Sequence, residues 1–468
     1  MMRHSSPGFG DIGQSLPITE ALRYLRESLG AVTIARRGIT RIEAPLPAMD
    51  ILGWLRTQRA EEKWYWDDNR DGSLILGGIG AADVIHDITA MDARAVSNRI
   101  HAMLGEDLQA RLRGRYFGGM TFLPSPYVDN SWQHFGCYRF VLPRLEIVRM
   151  GKHHIMGLNL LPDDTNPQAM DDIRRMLEAI ATTPKTDTPL FPMIEQRQDI
   201  PDRDGWEALL TRAIADIRNG IINKVALARK VILTLDSMIE PLDLMWSLRH
   251  REPNTLHYYL QPTPEQCFLG ASPELLFRQS SEMVYTEAIA GTRRRGANSA
   301  EDAELGQDLM THAKDAVEHQ SVVDRIVQGL RALQATVFAE ASRLHKMTRV
   351  QHKHTPIAAW LPPDCNAGDL LSILHPTPAV GGNPREAALA FIREHEPFER
   401  GWFAGVVGWI GYNRAEFAVG IRSALAEGNR LSVFSGAGIV AESHIPSEWQ
   451  ELEDKIAHIL GLFTQGTL

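Results

Sequence analysis

Two acid pairs, each spaced one helical turn apart, lie in the second half of the chain. Asp315 and Glu318 fall in AKDAVEHQSVVD, and Glu448 and Glu451 fall in IPSEWQELEDK. At i, i+3 each pair shares one helix face, and Lys455 extends the second face. Such carboxylates are hard oxygen ligands of the kind Mg²⁺ takes. Glu318 and Glu451 are the candidate ligands, with Asp315 and Glu448 placed to hold metal-bound water. The competing reading is a pair of solvated helix starts, where acids suit the dipole in any case. Just upstream, Gly436-Ala437-Gly438 ends the β-rich run LSVFSGAGIV and brings bare backbone close to something. The combination offers an anion site beside a metal site.

Other residues could do chemistry with that site. Lys224 lies in an apolar, strand-like run from Ile221 to Leu235. It is either an edge lysine reaching for water or a pocket lysine, where desolvation favours the neutral amine and makes a general base. Glu274 follows Pro273 after the apolar strand in FLGASPELLFR. It is either a helix-start carboxylate or a buried carboxyl that keeps its proton and serves as an acid. Gly291-Thr292 offers N–H groups and a hydroxyl to an anion. Arg422, in an apolar strand context, offers a fork for a carboxylate or one half of a structural ion pair. His153, His154, His352 and His354 read as surface or core histidines rather than ligands.

These residues need elements to hold them. The patterns predict a helix over Leu16–Leu29, a hairpin joining Trp64-Tyr65-Trp66 to Leu74-Ile75-Leu76 through DDNRDG, a helix from Ala93 to Leu112, and a hairpin across Gly151-Lys152. A helix near 168–181 is followed by TTPKTDTPLFPMIEQRQDIPD, a linker candidate rich in proline and charge. Beyond it, Trp206 to Ile217 marks a helix that stops at Asn219-Gly220. Met283 to Gly291 reads as a strand ending in a turn at Ala290-Gly291-Thr292, and Ser299 as a helix start running to about 340. His375-Pro376-Thr377-Pro378 is a rigid turn, Pro384 opens a helix, and Ser447 is the expected N-cap of the last one. Hairpins dominate, with no alternating βαβ units.

The composition narrows the class. With 468 residues the chain can form one large α/β unit or two domains. A net charge of −9 argues against nucleic acid as a partner. Cys137, Cys267 and Cys365 have no metal-type spacing and suit a reducing compartment. No apolar leader and no membrane-length run is present, so a cytoplasmic globular protein is expected.

The segments NKVALAR, FLGASPELLFR, EAIAGTRRRG, AKDAVEHQSVVD, HPTPAVGG, GWFAGVVGW and FSGAGIVAESHIPSEWQELEDK occur in this order. In them the chain resembles the chorismate-utilising enzymes, a group containing isochorismate synthase, salicylate synthase, anthranilate synthase component I and aminodeoxychorismate synthase. The likeness is strongest to isochorismate synthase of the menaquinone type, notably in FIREHEPFERGWFAGVVGW. It covers residues 201–465, the implied catalytic region, and only loosely residues 1–200. It implies an α/β (α+β) fold of two facing antiparallel sheets with helices outside, as in anthranilate synthase component I. It also implies chorismate as substrate, Mg²⁺ as the metal, no redox or nucleotide cofactor, and a monomer or homodimer.

Residue by residue, the resemblance implies that Lys224 activates water for attack at C2 and that Glu274 protonates the departing C4 hydroxyl. Glu318 and Glu451 fall at metal ligands, with Asp315 and Glu448 behind metal waters. Gly291, Thr292, Arg422, Gly436, Gly438 and Lys455 fall at substrate-lining positions, with His375 in the adjoining turn. Lysine at 224, where amine-using members commonly carry glutamine, implies water as nucleophile. Ala290 stands where aminodeoxychorismate synthase has a nucleophilic lysine. Ala379 stands where salicylate synthases tend to carry threonine, and Phe403 where some members have tyrosine. The implied activity is chorismate to isochorismate. The alternatives are a salicylate synthase, a siderophore-pathway isochorismate synthase, and a chorismate-binding protein without catalysis.

Overall fold

The computed structural model describes residues 15–68, 70, 74–89, 92–105, 107–124, 129–346 and 350–463, and not the side chains of Lys314 and Glu318. Residues 1–14, and Asn69, Asp71 and Gly72 of the expected first hairpin turn, lie outside the described residues.

Two long strands, Leu74–Asp87 and Tyr138–Met150, join two antiparallel sheets. They pair from Leu74↔Met150 to Asp87↔Tyr138, with a register shift between Ala81 and Asp83. The end Leu145–Met150 pairs with His153–Leu160, whereas Tyr138–Val141 pairs with Arg115–Met120. Pro143 stands at the changeover, where a residue without an N–H costs the ladder least. The first sheet runs outward from Leu74–Asp87 through Lys63–Asp68, Leu256–Thr263, Gln266–Ser272, Ser423–Glu427, Arg430–Ile439 and Lys224–Leu235 to Ile194–Ile200. The second runs from Arg115–Met120 through Val406–Gly411, Arg414–Val419, Leu275–Ser280 and Met283–Arg294 to Val350–Trp360.

Strand alternation feeds two cores. Trp64, Trp66, Tyr258, Leu260 and Phe268 point into one, together with Phe117, Phe277 and Phe417 of the second sheet. Tyr65, Tyr259, Cys267 and Leu269, their sequence neighbours, point into the other. There they meet Leu242, Met245 and Leu248 of helix Pro241–Arg251, and Ile456 and Ile459 of helix Ile445–Leu460. Burying one large apolar side chain is worth about 1.5–3 kcal/mol before ordering costs. The fully buried Trp54, Trp64, Trp66, Trp206 and Trp402 therefore anchor the fold. Trp402 also satisfies its indole, donating to the Gly136 carbonyl at 2.9 Å.

Several expectations need adjustment. The helix expected over Ala93–Leu112 is two, Ala93–Leu104 and Leu108–Arg113, because the chain turns at Gly105. The long helix before residue 340 likewise divides into Ser299–Thr311 and Ala313–Ala332, with extended backbone at His312. Its N-cap is Asn298, which accepts from the Ala300 and Glu301 amides, rather than Ser299. The linker candidate ends early: Ile194–Ile200 is a strand, although its exposed side chains hide this from any hydrophobic pattern. Helix Ile445–Leu460 starts after His444, so Ser447 lies inside its first turn. No helix among the described residues is long and apolar enough to cross a membrane.

Candidate active site

Close approaches, hydrogen bonds and Coulomb interactions link several of the candidate residues. Lys224 begins strand Lys224–Leu235 and is not at an edge. On one side its strand pairs with Gly382–Asn383, on the other with Arg430–Ile439. The end of its side chain lies over Gly438, where a β-carbon would be 3.3 Å from Nζ. A side chain at 438 would thus take space the lysine occupies.

Glu274 sits between strands Gln266–Ser272 and Leu275–Ser280, so no helix starts there. Its carbonyl accepts from Val419 N–H at 3.1 Å, and its own N–H donates to Ser272 Oγ at 3.3 Å. Desolvation and the nearby Glu287 carboxylate push its carboxyl up to about 7, against the Thr377 hydroxyl and the nearby side chains of Lys224 and Lys455. Lys224 and Glu274 therefore share one electrostatic environment, although 50 residues separate them in sequence. Thr377 Oγ1 donates to Glu274 Oε1 at 3.4 Å.

Cations line one wall. Lys455 Nζ donates to the Gly436 carbonyl at 2.8 Å and pairs with Glu451 at 2.6 Å. Arg422 lies just before a strand rather than in one, at φ +54°, and donates to the Lys455 carbonyl at 3.3 Å. Gly291 forms a bulge at φ +78°, not a turn, and strand Met283–Arg294 continues through it. A β-carbon there would lie 3.2 Å from Asp315 Oδ1, so the glycine lets this strand approach the helix that carries the first acid pair. Thr292 Oγ1 lies 2.9 Å from His352 Nδ1. Burial, then Arg422, lower His352 to about 4, so its ring is neutral at physiological pH.

The family model described as "Chorismate binding enzyme" matches residues 27–464. The chain belongs to the chorismate-binding enzyme family. The enzyme is 32% identical over 450 residues to isochorismate synthase MenF of Escherichia coli, covering 94% of this chain and 97% of that one. Among solved structures it is similar to the menaquinone-specific isochorismate synthase MenF from Escherichia coli, with a TM-score of 0.85, 30% identity, and 96% and 100% of the two chains covered. Anthranilate synthase component I from Streptococcus pneumoniae shares the fold, with a TM-score of 0.67 at 19% identity over 92% and 93% of the chains.

Asp315 and Glu451 of the enzyme are already partnered. Asp315 is buried and accepts from Arg293 at 2.6 Å, with His312 at 3.1 Å. Glu451 is half-exposed and bound to Lys455. Glu448 is partly buried on the same helix. Glu318 lies on helix Ala313–Ala332, but its side chain is outside the described residues. Among the described residues no group of three His, Cys, Asp or Glu could hold a metal ion. The donors are nonetheless all carboxylates, the chemistry Mg²⁺ prefers.

The remaining candidates are buried or partly buried. His375 is buried, with Nε2 3.3 Å from the Phe122 carbonyl, and burial lowers it to about 4. Ala379 is partly buried in the same turn. Phe403 is buried and stacks on Phe434, centroids 5.1 Å apart. Arg400 ties this region together, donating to the carbonyls of Val380 at 2.8 Å and Ala226 at 2.7 Å.

Sequence reasoning missed Glu287, Thr377 and Arg70, and set His352 and His354 aside as non-ligands. His354 is a buried histidine, as one of the two readings had it, but it pairs with Glu287 at 2.9 Å. The usable signal was alternation in QHKHT, which puts both histidines on one strand face.

Proposed function

We propose that this enzyme is an isochorismate synthase that converts chorismate to isochorismate and feeds menaquinone biosynthesis. The carrying observation is a buried carboxyl, Glu274, raised to about 7 within Coulomb reach of Lys224, whose side chain ends against Gly438. The Lys224 amine takes a proton from water as the oxygen bonds to ring carbon C2. The two ring double bonds each shift by one position, and the C4–O bond breaks. Glu274 gives its proton to the departing hydroxyl, so one water enters and one leaves. An acid titrating near the working pH suits that transfer.

The cations of this chain hold the substrate's anionic groups. Arg422 and Lys455, with the bare backbone at Gly436 and Gly438 and the Gly291-Thr292 bulge, face the enolpyruvyl carboxylate. Glu318 and Glu451 would hold Mg²⁺, with Asp315 and Glu448 holding its waters. A bound Mg²⁺ supplies positive charge that fixes the ring carboxylate. The reaction calls for no redox or nucleotide group. A cytoplasmic setting is in keeping with three sparse cysteines, none in a disulfide.

Chromatography of products from purified enzyme, chorismate and Mg²⁺ tests the reading. Isochorismate is expected as the main product. Salicylate with pyruvate as the main products would overturn it, and ligand-induced thermal stabilisation without turnover would point to a non-catalytic binder.

A further inference from the structure

One carboxylate beside the site has no part in the mechanism above. Glu287 lies on strand Met283–Arg294, and both of its oxygens are engaged. Oε1 accepts from Arg70 Nη1 at 2.9 Å and from the Leu275 N–H at 3.1 Å. Oε2 faces His354 Nε2 at 2.9 Å. The Leu275 amide belongs to the residue directly after Glu274, so Glu287 is fastened to the backbone that carries the acid. Arg70 comes from the hairpin loop of the first 200 residues and is itself held by Asp68 at 3.0 Å.

We infer that Glu287, clamped by Arg70 and His354, is a positioning residue that keeps the proton on Glu274. The inference rests on Glu274 being the acid of the proposed reaction. Two carboxylates whose charges interact in a poorly solvated site do not both ionise readily, and the partners decide which one does. Glu287 faces Arg70, His354 and, farther off, His345. Glu274 faces Lys224, Lys455, the Thr377 hydroxyl and Glu287. The hydrogen-bonding Arg70 guanidinium, the Leu275 N–H and the His354 ring are all on Glu287, so it carries the charge and Glu274 carries the proton. Their titration agrees. Burial raises both, but His354 and Arg70 hold Glu287 below the ordinary carboxylate range, whereas burial and Glu287 together keep Glu274 up at about 7.

The test is the pH profile of turnover with chorismate and Mg²⁺. Glu287→Gln keeps the shape and an acceptor for Leu275 N–H but removes the charge. The alkaline limb, where Glu274 loses its proton, is expected to move down by about one pH unit, while the rate on its acidic side stays within about twofold. Glu287→Asp keeps the charge and is expected to leave the limb in place. In the Glu274→Gln background, Glu287→Gln is expected to cost nothing further. A uniform loss of rate with an unmoved limb would overturn the inference. High activity in Glu274→Gln alone would instead overturn the assignment of the acid, a separate failure. If Glu287→Gln does not fold, infrared difference spectra of wild type against Glu274→Gln read the proton directly. A protonated-carboxyl band that survives in Glu274→Gln and shifts in Glu287→Asp would place the proton on Glu287 and sink the inference.

Discussion

Gly438→Ala isolates the position of the Lys224 amine from everything else in the site. A β-carbon at 438 would meet Lys224 Cε at 2.9 Å and Nζ at 3.3 Å, and among the described residues nothing else beyond its chain neighbours lies within 4 Å. Ordinary contact begins at 3.4 Å, so the end of the lysine must retreat by about 0.5 Å. Gly438 is outside the left-handed region, so alanine meets no backbone strain. The protein gives way through a flexible side chain, and stability should scarcely change. Turnover should change, because misplacing a reacting group by an ångström can cost about 100-fold. We expect kcat to fall about 10- to 100-fold, or about 1.4–2.7 kcal/mol of barrier, with Tm within about 2 °C of wild type. Product chromatography gives the rate and a thermal melt gives the stability. Since both changes act on one amine, Gly438→Ala should cost little in a Lys224→Ala background. A kcat within twofold of wild type, or full additivity with Lys224→Ala, would refute the placement of the base.

Other consequences follow from the same geometry. Glu274 is raised to about 7 in the folded protein from an ordinary 4.5, so between those values the folded state binds a proton that the unfolded chain releases. Stability therefore falls as pH rises through that window and levels off above it. Glu274→Gln, though expected to lose most of its turnover, should be more stable than wild type at pH 8 by up to about 3 kcal/mol, with the difference vanishing below pH 4.5 in denaturant titrations. Arg229 is fully buried, pairs with Glu453 at 2.6 Å and Asp199 at 3.1 Å, and lies 4.3 Å over the Trp449 ring. Arg229→Met should lower urea-unfolding stability by about 2–4 kcal/mol and loosen the helix that carries Glu448 and Glu451. Chelation should stop turnover and Mg²⁺ restore it. Glu448→Gln should raise the Mg²⁺ needed for half-maximal rate by about 10- to 100-fold, and an unchanged requirement would remove Glu448 from the metal's surroundings.

The residue types and the local elements were legible without coordinates. Alternation identified both hairpins, and the stop at Asn219-Gly220 appears as expected, with Gly220 at φ +74°. The i, i+3 spacing put Glu448 and Glu451 on one helix face. Where local reading failed, a nonlocal partner had overridden local preference. Ile194–Ile200 is polar and exposed, yet it is a strand because Lys224–Leu235 offers it an unpaired edge. Arg422 falls outside a strand because its backbone takes a left-handed bend beside helix Ile445–Leu460.

The sequence by itself determined which groups are present: one lysine and one glutamate for proton transfer, carboxylates for a hard cation, and glycines where side chains would obstruct. Tertiary structure alone decided their states. Whether Glu274 is an ordinary carboxylate or a proton donor depends on Glu287, Arg70, His354, Lys224 and Lys455, which come from five separate places in the chain. Desolvation and Coulomb interactions depend on distance in space, and distance along the chain carries almost none of that information.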